Sequence, residues 1–240
     1  MLRIVDHLAG PGPLRVCAHV PVGEGPGELT GLRVLLAADV LGRVVELRGR
    51  AVLTGWTGPD VPSADAAGIR PADATGTPEE IAEALHGPPA VQLTSRAYEG
   101  GGGACLRIAE ARMTEPATGP ADPDALAVRL VLLGSPYHEP VEVTAEALDE
   151  ADLRLSRWRR AVAGWAEHPS KPLHADLVRT ARAALEDSLD AAAVLRLLDE
   201  LETAVDVAPG AKFETFARLD RVLGLELTRE IGRSPAGARA

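Results

Sequence analysis

Residues 14–53, LRVCAHVPVGEGPGELTGLRVLLAADVLGRVVELRGRAVL, decide the fold of the first half of the chain. Residues 14–20 alternate apolar and polar side chains, which is the pattern of a β-strand. After a glycine-rich loop, residues 29–48 carry one apolar stripe at helical spacing, and Gly49 is a natural helix end. Residues 51–53 predict a second strand. Strand, helix and strand in this order form the βαβ unit of a parallel sheet.

The remainder of the first half is less regular. Residues 54–77 are rich in Gly, Pro, Asp and Ala and predict a loop, whereas residues 78–85 predict a short helix. Two further strands are predicted at Ala90–Thr94 and Ala104–Ile108. The four glycines at 100–103 lack the Lys-Ser/Thr ending of a phosphate-binding loop, so we interpret this connection as a flexible hairpin.

Beyond Thr114 the pattern becomes almost continuously helical. Helices are predicted at residues 124–133, 144–167, 173–188, 191–205 and 211–225. Their apolar stripes follow three- and four-residue spacing and their connections are short, so we expect an antiparallel helical bundle. The predicted architecture is therefore α/β plus α, with a parallel-sheet domain in residues 1–116, a helical bundle in residues 117–233 and a frayed tail at residues 234–240.

The composition argues against several classes of protein. Hydrophobic residues make up 46% of the chain and charged residues 25%, which is too apolar for a disordered protein and too charged for a membrane protein. The net charge of −10 argues against nucleic acid as the main partner, because such binding depends on Lys and Arg neutralising phosphates. Arg154, Arg157, Arg159 and Arg160 form a local basic patch, which we interpret as a solvated helix face.

Cysteine content and the N-terminus indicate a cytoplasmic protein. The chain has two cysteines, Cys17 and Cys105, which makes a disulfide framework unexpected and suits a reducing compartment. The N-terminus lacks the basic and apolar regions of a secretory leader, and no apolar run is long enough to span a membrane. We therefore expect no membrane association.

Short segments along both halves of the chain carry a resemblance to a known family. The segments are Leu2–Asp6, Val16-Cys17, Arg33, Asp39–Arg43, Asp122–Leu130, Ser135–Pro140, Thr144–Arg160 and Glu186–Ala192. In this order they resemble cysteinyl-tRNA synthetase and the related mycothiol-pathway cysteine ligase. The resemblance implies a reduced Rossmann-like sheet of the class I synthetase type followed by synthetase-type helices, in a truncated and degenerate paralogue.

The resemblance places the first activation signature of the family, the HIGH motif, at Glu28-Leu29-Thr30-Gly31. Both histidines of the motif are absent. In the family these histidines and the helix N-terminus stabilise the charge that develops on the ATP phosphates. Glu28 would instead bring a carboxylate close to the triphosphate, which raises the barrier to adenylate formation.

The second signature, the KMSKS loop, corresponds to Arg112-Met113-Thr114-Glu115-Pro116. Its second lysine is replaced by Glu115, so a transition-state contact to the pyrophosphate is lost. Arg112 could still reach a phosphate. With Gly25 and Gly27 of the glycine-rich loop, it forms the vestigial phosphate contacts that the resemblance implies.

A zinc site is also implied by the family, and here it is incomplete. Cys17 stands at a ligand position and His19 follows two residues later, but the other zinc ligands belong to an insert for which the interval in this chain is too short. A Cys-x-His pair cannot form a closed site with four ligands. We expect no zinc, and a buried structural cysteine is the alternative for Cys17.

These observations lead to a hypothesis of a synthetase-derived pseudoenzyme that has no cofactor and acts through a protein partner or as a homo-oligomer. Binding of tRNA is not expected. One alternative is an ATP-dependent ligase that activates cysteine or a similar amino acid through an aminoacyl-adenylate. The other is a small-molecule module that binds an aminoacyl group or a nucleotide without turnover.

Overall fold

The computed structural model describes residues 10–22, 27–97, 102–114 and 124–233. Its strands are β1 (Leu14–His19), β2 (Val52–Thr57), β3 (Ala74–Thr75), β4 (Val91–Thr94), β5 (Ala104–Arg107), β6 (Ala111–Met113) and β7 (Val141–Val143). Its helices are α1 (Gly27–Glu46), α2 (Ser63–Ala66), α3 (Pro78–Ala84), α4 (Ala125–Leu133), α5 (Ala145–Trp165), α6 (Ala175–Ser188), α7 (Ala191–Thr203) and α8 (Pro209–Leu223). The predicted division at residues 116 and 117 and the predicted tail at 234–240 lie outside the described residues.

Five of the strands form one parallel sheet in the order β3-β2-β1-β4-β5. The chain builds outward from β1 to β2 and β3, and then returns to place β4 on the other side of β1. The strand order therefore reverses between β1 and β4, which is the topological switch point where doubly wound sheets bind ligands. The prediction of a parallel, Rossmann-like sheet is confirmed.

Three local predictions differ from the structure. The hairpin between the fourth and fifth strands is wrong, because β5 runs parallel to β4 with Gln92 opposite Cys105. A run of glycines indicates a flexible connection but does not fix the direction of the next strand. The segment predicted as a loop contains the end of β2, helix α2 and strand β3, and a second parallel sheet pairs β6 with β7. Strands of two or three residues are too short to show a periodicity.

The two faces of the large sheet are covered differently. Helix α1 packs on one face, where Val16 and Leu93 join the buried cluster that contains Leu35 of α1. On the opposite face α3 covers only part of the sheet, and its residue Ile81 packs beside Cys17. A Cβ atom on Gly55 would lie 2.3 Å from Cγ2 of Ile81, so α3 can approach the sheet only because this residue is glycine.

The helical region packs directly against α1. Helix α8 contacts α1, α5, α6 and α7, and the apolar side chains of both halves form one continuous buried cluster. The buried Arg129 of α4 joins the halves, because it donates hydrogen bonds to the carbonyl oxygens of Ala67 at 3.0 Å and Leu223 at 2.6 Å. Within the described residues no helix is long and apolar enough to cross a membrane.

Candidate functional site

The two segments predicted to carry the activation signatures meet at one cavity. The cavity has a volume of about 570 Å³ and lies between the start of α1, helix α2, the end of β6 and the start of α4. Its described lining residues are Glu28, Leu29, Leu32, Ser63, Ala67, Arg112, Met113, Ala125 and Val128. The fold therefore brings together Glu28 and Leu29 with Arg112 and Met113, although 81 or more residues separate Thr30 from the β6 strand.

Thr30 holds the two segments together. Its hydroxyl donates a hydrogen bond to the carbonyl oxygen of Ala111 at 3.1 Å and accepts one from the Ala111 amide, also at 3.1 Å. Thr30 is buried, with 5% of its surface exposed. At this position of the first signature, the side chain therefore fixes β6 against α1 and is not free to contact a ligand.

Arg33, one turn further along α1, reinforces the same junction. Its Nη1 atom donates to the carbonyl oxygens of Ala109, Glu110 and Glu139 at 3.1, 3.2 and 2.6 Å, and its Nη2 atom donates to that of Pro136 at 2.8 Å. Burial lowers the pKa of Arg33 to about 10, so the guanidinium is still charged at neutral pH. The resemblance included Arg33 without assigning it a structural role. In the structure its guanidinium positions β6.

The charges at the cavity are few and of mixed sign. Glu28 is exposed in the first turn of α1, and no ion-pair partner for it is found among the described residues. Arg112 has a partner outside the lining, because its Nη2 atom lies 2.5 Å from Oε2 of Glu110. The three groups together therefore carry a net negative charge, which disfavours binding of an anion such as a nucleotide triphosphate at this cavity.

Three further residues of the predicted signatures and glycine-rich loop, Gly27, Gly31 and Thr114, are described in the structure. A Cβ atom on Gly31 would lie 2.9 Å from Cγ1 of Val20, so this glycine allows α1 to approach the end of β1. Thr114 is exposed, and its amide donates to the carbonyl oxygen of Val143 at 3.2 Å. Gly27 is the first residue of α1. Gly25, Glu115 and Pro116 lie outside the described residues.

A polar cluster at the switch point was not predicted. His19, at the end of β1, has Nδ1 2.8 Å from Oγ1 of Thr57 on β2 and Nε2 2.8 Å from Oε1 of Gln92 on β4. Thr94 ends β4 and is buried. The signal that could have identified the cluster is positional, because polar residues at the carboxyl ends of adjacent parallel strands meet at one edge of the sheet.

The weak zinc candidates do not converge on a metal. Cys17 is 1% exposed, and burial raises the pKa of its thiol to about 11, so the thiolate that binds metals is scarce at neutral pH. Both ring nitrogens of His19 are already within hydrogen-bond distance of protein side chains. Among the described residues, no three His, Cys, Asp or Glu side chains are grouped as metal ligands. The absence of zinc remains a prediction.

The arginine-rich segment of α5 is paired with acidic side chains. Arg154 contacts Asp199 of α7, Arg157 lies 3.0 Å from Glu202, and the buried Arg159 lies 3.0 Å from Asp124. Arg159 points into the protein, so the prediction of a solvated face is wrong for this residue. The ion pairs reduce the positive charge that this helix presents to a phosphate backbone.

The strand order defines a protein with a doubly wound, Rossmann-like parallel sheet. Comparison with curated proteins supports the same class. No model of a known protein family matches the chain. The L-cysteine:1D-myo-inositol 2-amino-2-deoxy-α-D-glucopyranoside ligase of Beutenbergia cavernae is 40% identical over 111 residues, a match that covers 43% of this chain and 25% of the ligase.

Ligases with the same name in two further organisms give similar matches. The protein of Thermobispora bispora is 36% identical over 104 residues, covering 43% of this chain and 25% of the relative. That of Acidothermus cellulolyticus is 37% identical over 107 residues, covering 45% and 26%. The match therefore spans about a quarter of the length of these relatives. The resemblance to the mycothiol-pathway cysteine ligases is confirmed over less than half of this chain.

Proposed function

We propose that the protein is a pseudoenzyme derived from a cysteine-activating synthetase, which binds a protein partner and does not form an adenylate. The observation that carries the proposal is the charge at the cavity where the two signature segments meet. Glu28 lines this cavity without a described partner, and Arg112 is the one cation among the described lining residues. Thr30, the neighbouring signature residue, is engaged with Ala111.

The chemistry of adenylate formation explains why these charges matter. The carboxylate of the amino acid attacks the α-phosphate of ATP, and negative charge develops on the phosphate oxygens and on the departing pyrophosphate. Active sites stabilise such charge with fixed donors and cations, and each contact typically contributes about 3–4 kcal/mol. A carboxylate at this site acts in the opposite direction, because it repels both the substrate and the transition state.

The open edge of the large sheet supports the partner component of the proposal. Strand β5 is at the edge of the sheet, and among the described residues no strand pairs with its outer side. Cys105 and Arg107 of β5 are exposed. An unpaired edge strand is a template for association with another chain, including a second copy of the same protein. We include a cytoplasmic location in the proposal, which the two free cysteines suit.

The ATP-dependent ligase is a second candidate, and one observation favours it. The Arg112 and Glu110 side chains are 64% and 59% exposed. Ion pairs of this kind contribute only about 0–1 kcal/mol, so Arg112 could exchange Glu110 for a phosphate at little cost. The relatives named above are also ligases. A binding module without turnover would need only the cavity.

Isothermal titration with ATP, with cysteine and with a non-hydrolysable cysteinyl-adenylate mimic separates the three candidates. The pseudoenzyme proposal predicts no measurable heat for any of the three. Binding of all three would favour the ligase, and binding of the mimic without turnover would favour the module.

A matched pair of variants tests the stated cause. Glu28→Gln removes the charge at the cavity and is expected to give measurable affinity for ATP. Glu79→Gln changes the first turn of another helix, α3, and should leave the protein without ATP affinity. Equal behaviour of the two variants would contradict the role assigned to Glu28.

A further inference from the structure

The cavity that carries the proposed function has a lining unsuited to a nucleotide but suited to a different kind of molecule. Its floor is apolar, with Leu29, Leu32, Ala67, Met113 and Val128 among its described residues. Its volume of about 570 Å³ lies in the range of pockets for small organic ligands. Met113 is 45% exposed, so part of its apolar side chain is open to a molecule in the cavity.

The two charged residues of the described lining, Glu28 and Arg112, determine which charge on a ligand is favoured. Glu28 has no described ion-pair partner, whereas Arg112 is paired with Glu110 at 2.5 Å. The first turn of α1 balances part of the Glu28 charge, because a helix N-terminus carries the equivalent of about half a positive charge. About half a negative charge therefore remains without an ion-pair partner among the described residues that line the cavity.

We propose that this cavity binds a small molecule with an apolar body and a single ammonium group, with the apolar body on Leu32 and Val128 and the ammonium group on Glu28. The inference rests on the proposed function, since it assigns a ligand to a cavity that no longer serves a nucleotide. An ammonium group pairs with Glu28, and the apolar body of the ligand displaces water from the apolar lining. A carboxylate or phosphate group at the same place meets the repulsion of Glu28.

Three indole compounds of similar size and different charge test the inference: the cation tryptamine, the neutral alcohol tryptophol and the anion indole-3-acetate. We expect tryptamine to bind about tenfold more tightly than indole-3-acetate, with tryptophol between them, because the exposed Glu28 attracts the cation and repels the anion, each by a factor of about three. Isothermal titration at low salt measures all three affinities. Equal affinities, or no binding of tryptamine at millimolar concentration, would overturn the inference.

Variants locate the binding and separate it from the proposed function. Glu28→Gln should weaken tryptamine about threefold and leave tryptophol unchanged, Glu79→Gln should change neither, and Val128→Phe should weaken both by filling the cavity. Tryptamine binding that Glu28→Gln does not change would overturn the inference. The ATP titration is independent of these outcomes: ATP binding by the unmodified protein counts against the pseudoenzyme, whereas a failed amine titration with no ATP binding leaves the pseudoenzyme intact and removes only the ligand.

Discussion

At the residue scale, the buried Asp39 of α1 is paired with three arginine side chains among the described residues. Its carboxylate accepts hydrogen bonds from Arg43 at 2.9 Å, Arg70 at 3.0 Å and Arg129 at 2.8 Å, and it is 2% exposed. Burial alone would raise the pKa of Asp39, but the charges of Arg129 and Arg43 outweigh it and hold the pKa below its ordinary value. Asp39 therefore links α1 to α4 and to the segment after α2.

Replacement of Asp39 by asparagine should lower the free energy of unfolding by about 3–5 kcal/mol at pH 7, because it leaves the buried Arg129 charge without its partner. The control is Asp176→Asn, which breaks an exposed pair with Arg179 and should cost less than about 1 kcal/mol. Urea unfolding measures both values. A cost for Asp39→Asn no larger than that of the control would contradict this role.

The depressed pKa of Asp39 also predicts how the difference in stability between the unmodified protein and Asp39→Asn depends on pH. Since the folded pKa of Asp39 is depressed, its contribution is complete above the ordinary value of 3.8 and is lost as the pH falls through the folded pKa. The stability advantage of the unmodified protein over Asp39→Asn should be constant from pH 7 to pH 5 and should shrink below about pH 4. Burial raises the pKa of Asp220, which gives the opposite trend, but both proteins carry Asp220 and its effect cancels in the comparison. An advantage that is the same at every pH would contradict the assignment.

The two cysteines should differ in reactivity and neither should hold zinc. Cys105 is exposed and should react with a thiol reagent in the folded protein, whereas Cys17 is buried with a raised pKa and should react only on unfolding. A thiol titration of the Cys105→Ser variant therefore predicts less than about 0.1 reactive thiol per folded chain. Elemental analysis that finds about one zinc per chain, lost in Cys17→Ala, would contradict the prediction.

The residue roles were predictable to different degrees. The alternative of a buried structural cysteine at Cys17 agrees with the structure, in which Cys17 is 1% exposed and packs beside Ile81. The roles of Thr30 and Arg33 did not follow, because each contacts backbone atoms about 80 or more residues away in the chain. Local sequence patterns carry no information about such contacts.

At the scale of the elements, the two tryptophans of α5 test the packing of the helical region. Trp158 is 0% exposed, its ring lies edge to face with Phe216 at 5.9 Å, and its Nε1 atom donates to Glu202 at 3.1 Å. Trp165 also meets Phe216, at 5.0 Å, but it is only partly buried. The predicted packing stripe along α5 is thus found, with unequal burial at its two tryptophans.

Trp158→Ala should therefore lower the free energy of unfolding by about 3–5 kcal/mol, because it leaves a large cavity beside Phe216 and removes one hydrogen bond to Glu202, which keeps its pair with Arg157. Trp165→Ala should cost about half as much, since part of its ring already contacts water. Denaturant unfolding of both variants provides the comparison. A larger loss for Trp165→Ala would contradict the packing described for α5.

Helices were predicted better than strands. The long helices carry a clear period and recognisable caps, such as Thr144, whose hydroxyl accepts a hydrogen bond from the amide of Ala147 at 3.1 Å. The short strands β3, β6 and β7 have too few residues for a period, and their pairing depends on partners distant in the chain. Strand direction at β5 was likewise set by the whole sheet and not by the glycines before it.

At the scale of the whole molecule, the sheet and the helical region share one apolar cluster and the buried Asp39–Arg129 pair. The predicted association with a partner or with a second copy of the chain does not depend on this shared core. It depends on the unpaired edge of the large sheet at β5. Sedimentation velocity at tens of micromolar should show a dimer or larger species. The amides of Ala104 and Ile108 donate inward, towards β4, so the intervening alternate amide of Cys105 faces the open edge. The variant Cys105→Pro is therefore expected to reduce association, since proline removes this outward backbone donor.

The oligomeric state and a pull-down from cell lysate together test the partner proposal. A protein that remains monomeric at these concentrations, and retains no partner from a cell lysate, would contradict it and return weight to a self-sufficient ligase. Circular dichroism of Cys105→Pro serves as the control for folding, and a second variant, Arg107→Glu, tests the same edge without a backbone change.

The central claim concerns the chemistry of the cavity formed by α1 and β6, and cysteine-dependent exchange of labelled pyrophosphate into ATP tests it most directly. The account predicts exchange at background level, because Glu28 repels the triphosphate and Arg112 is the one cationic residue in the described lining of the cavity. An authentic cysteine ligase assayed alongside provides the reference rate. Exchange within about tenfold of that reference would show that adenylate chemistry survives and would contradict the account.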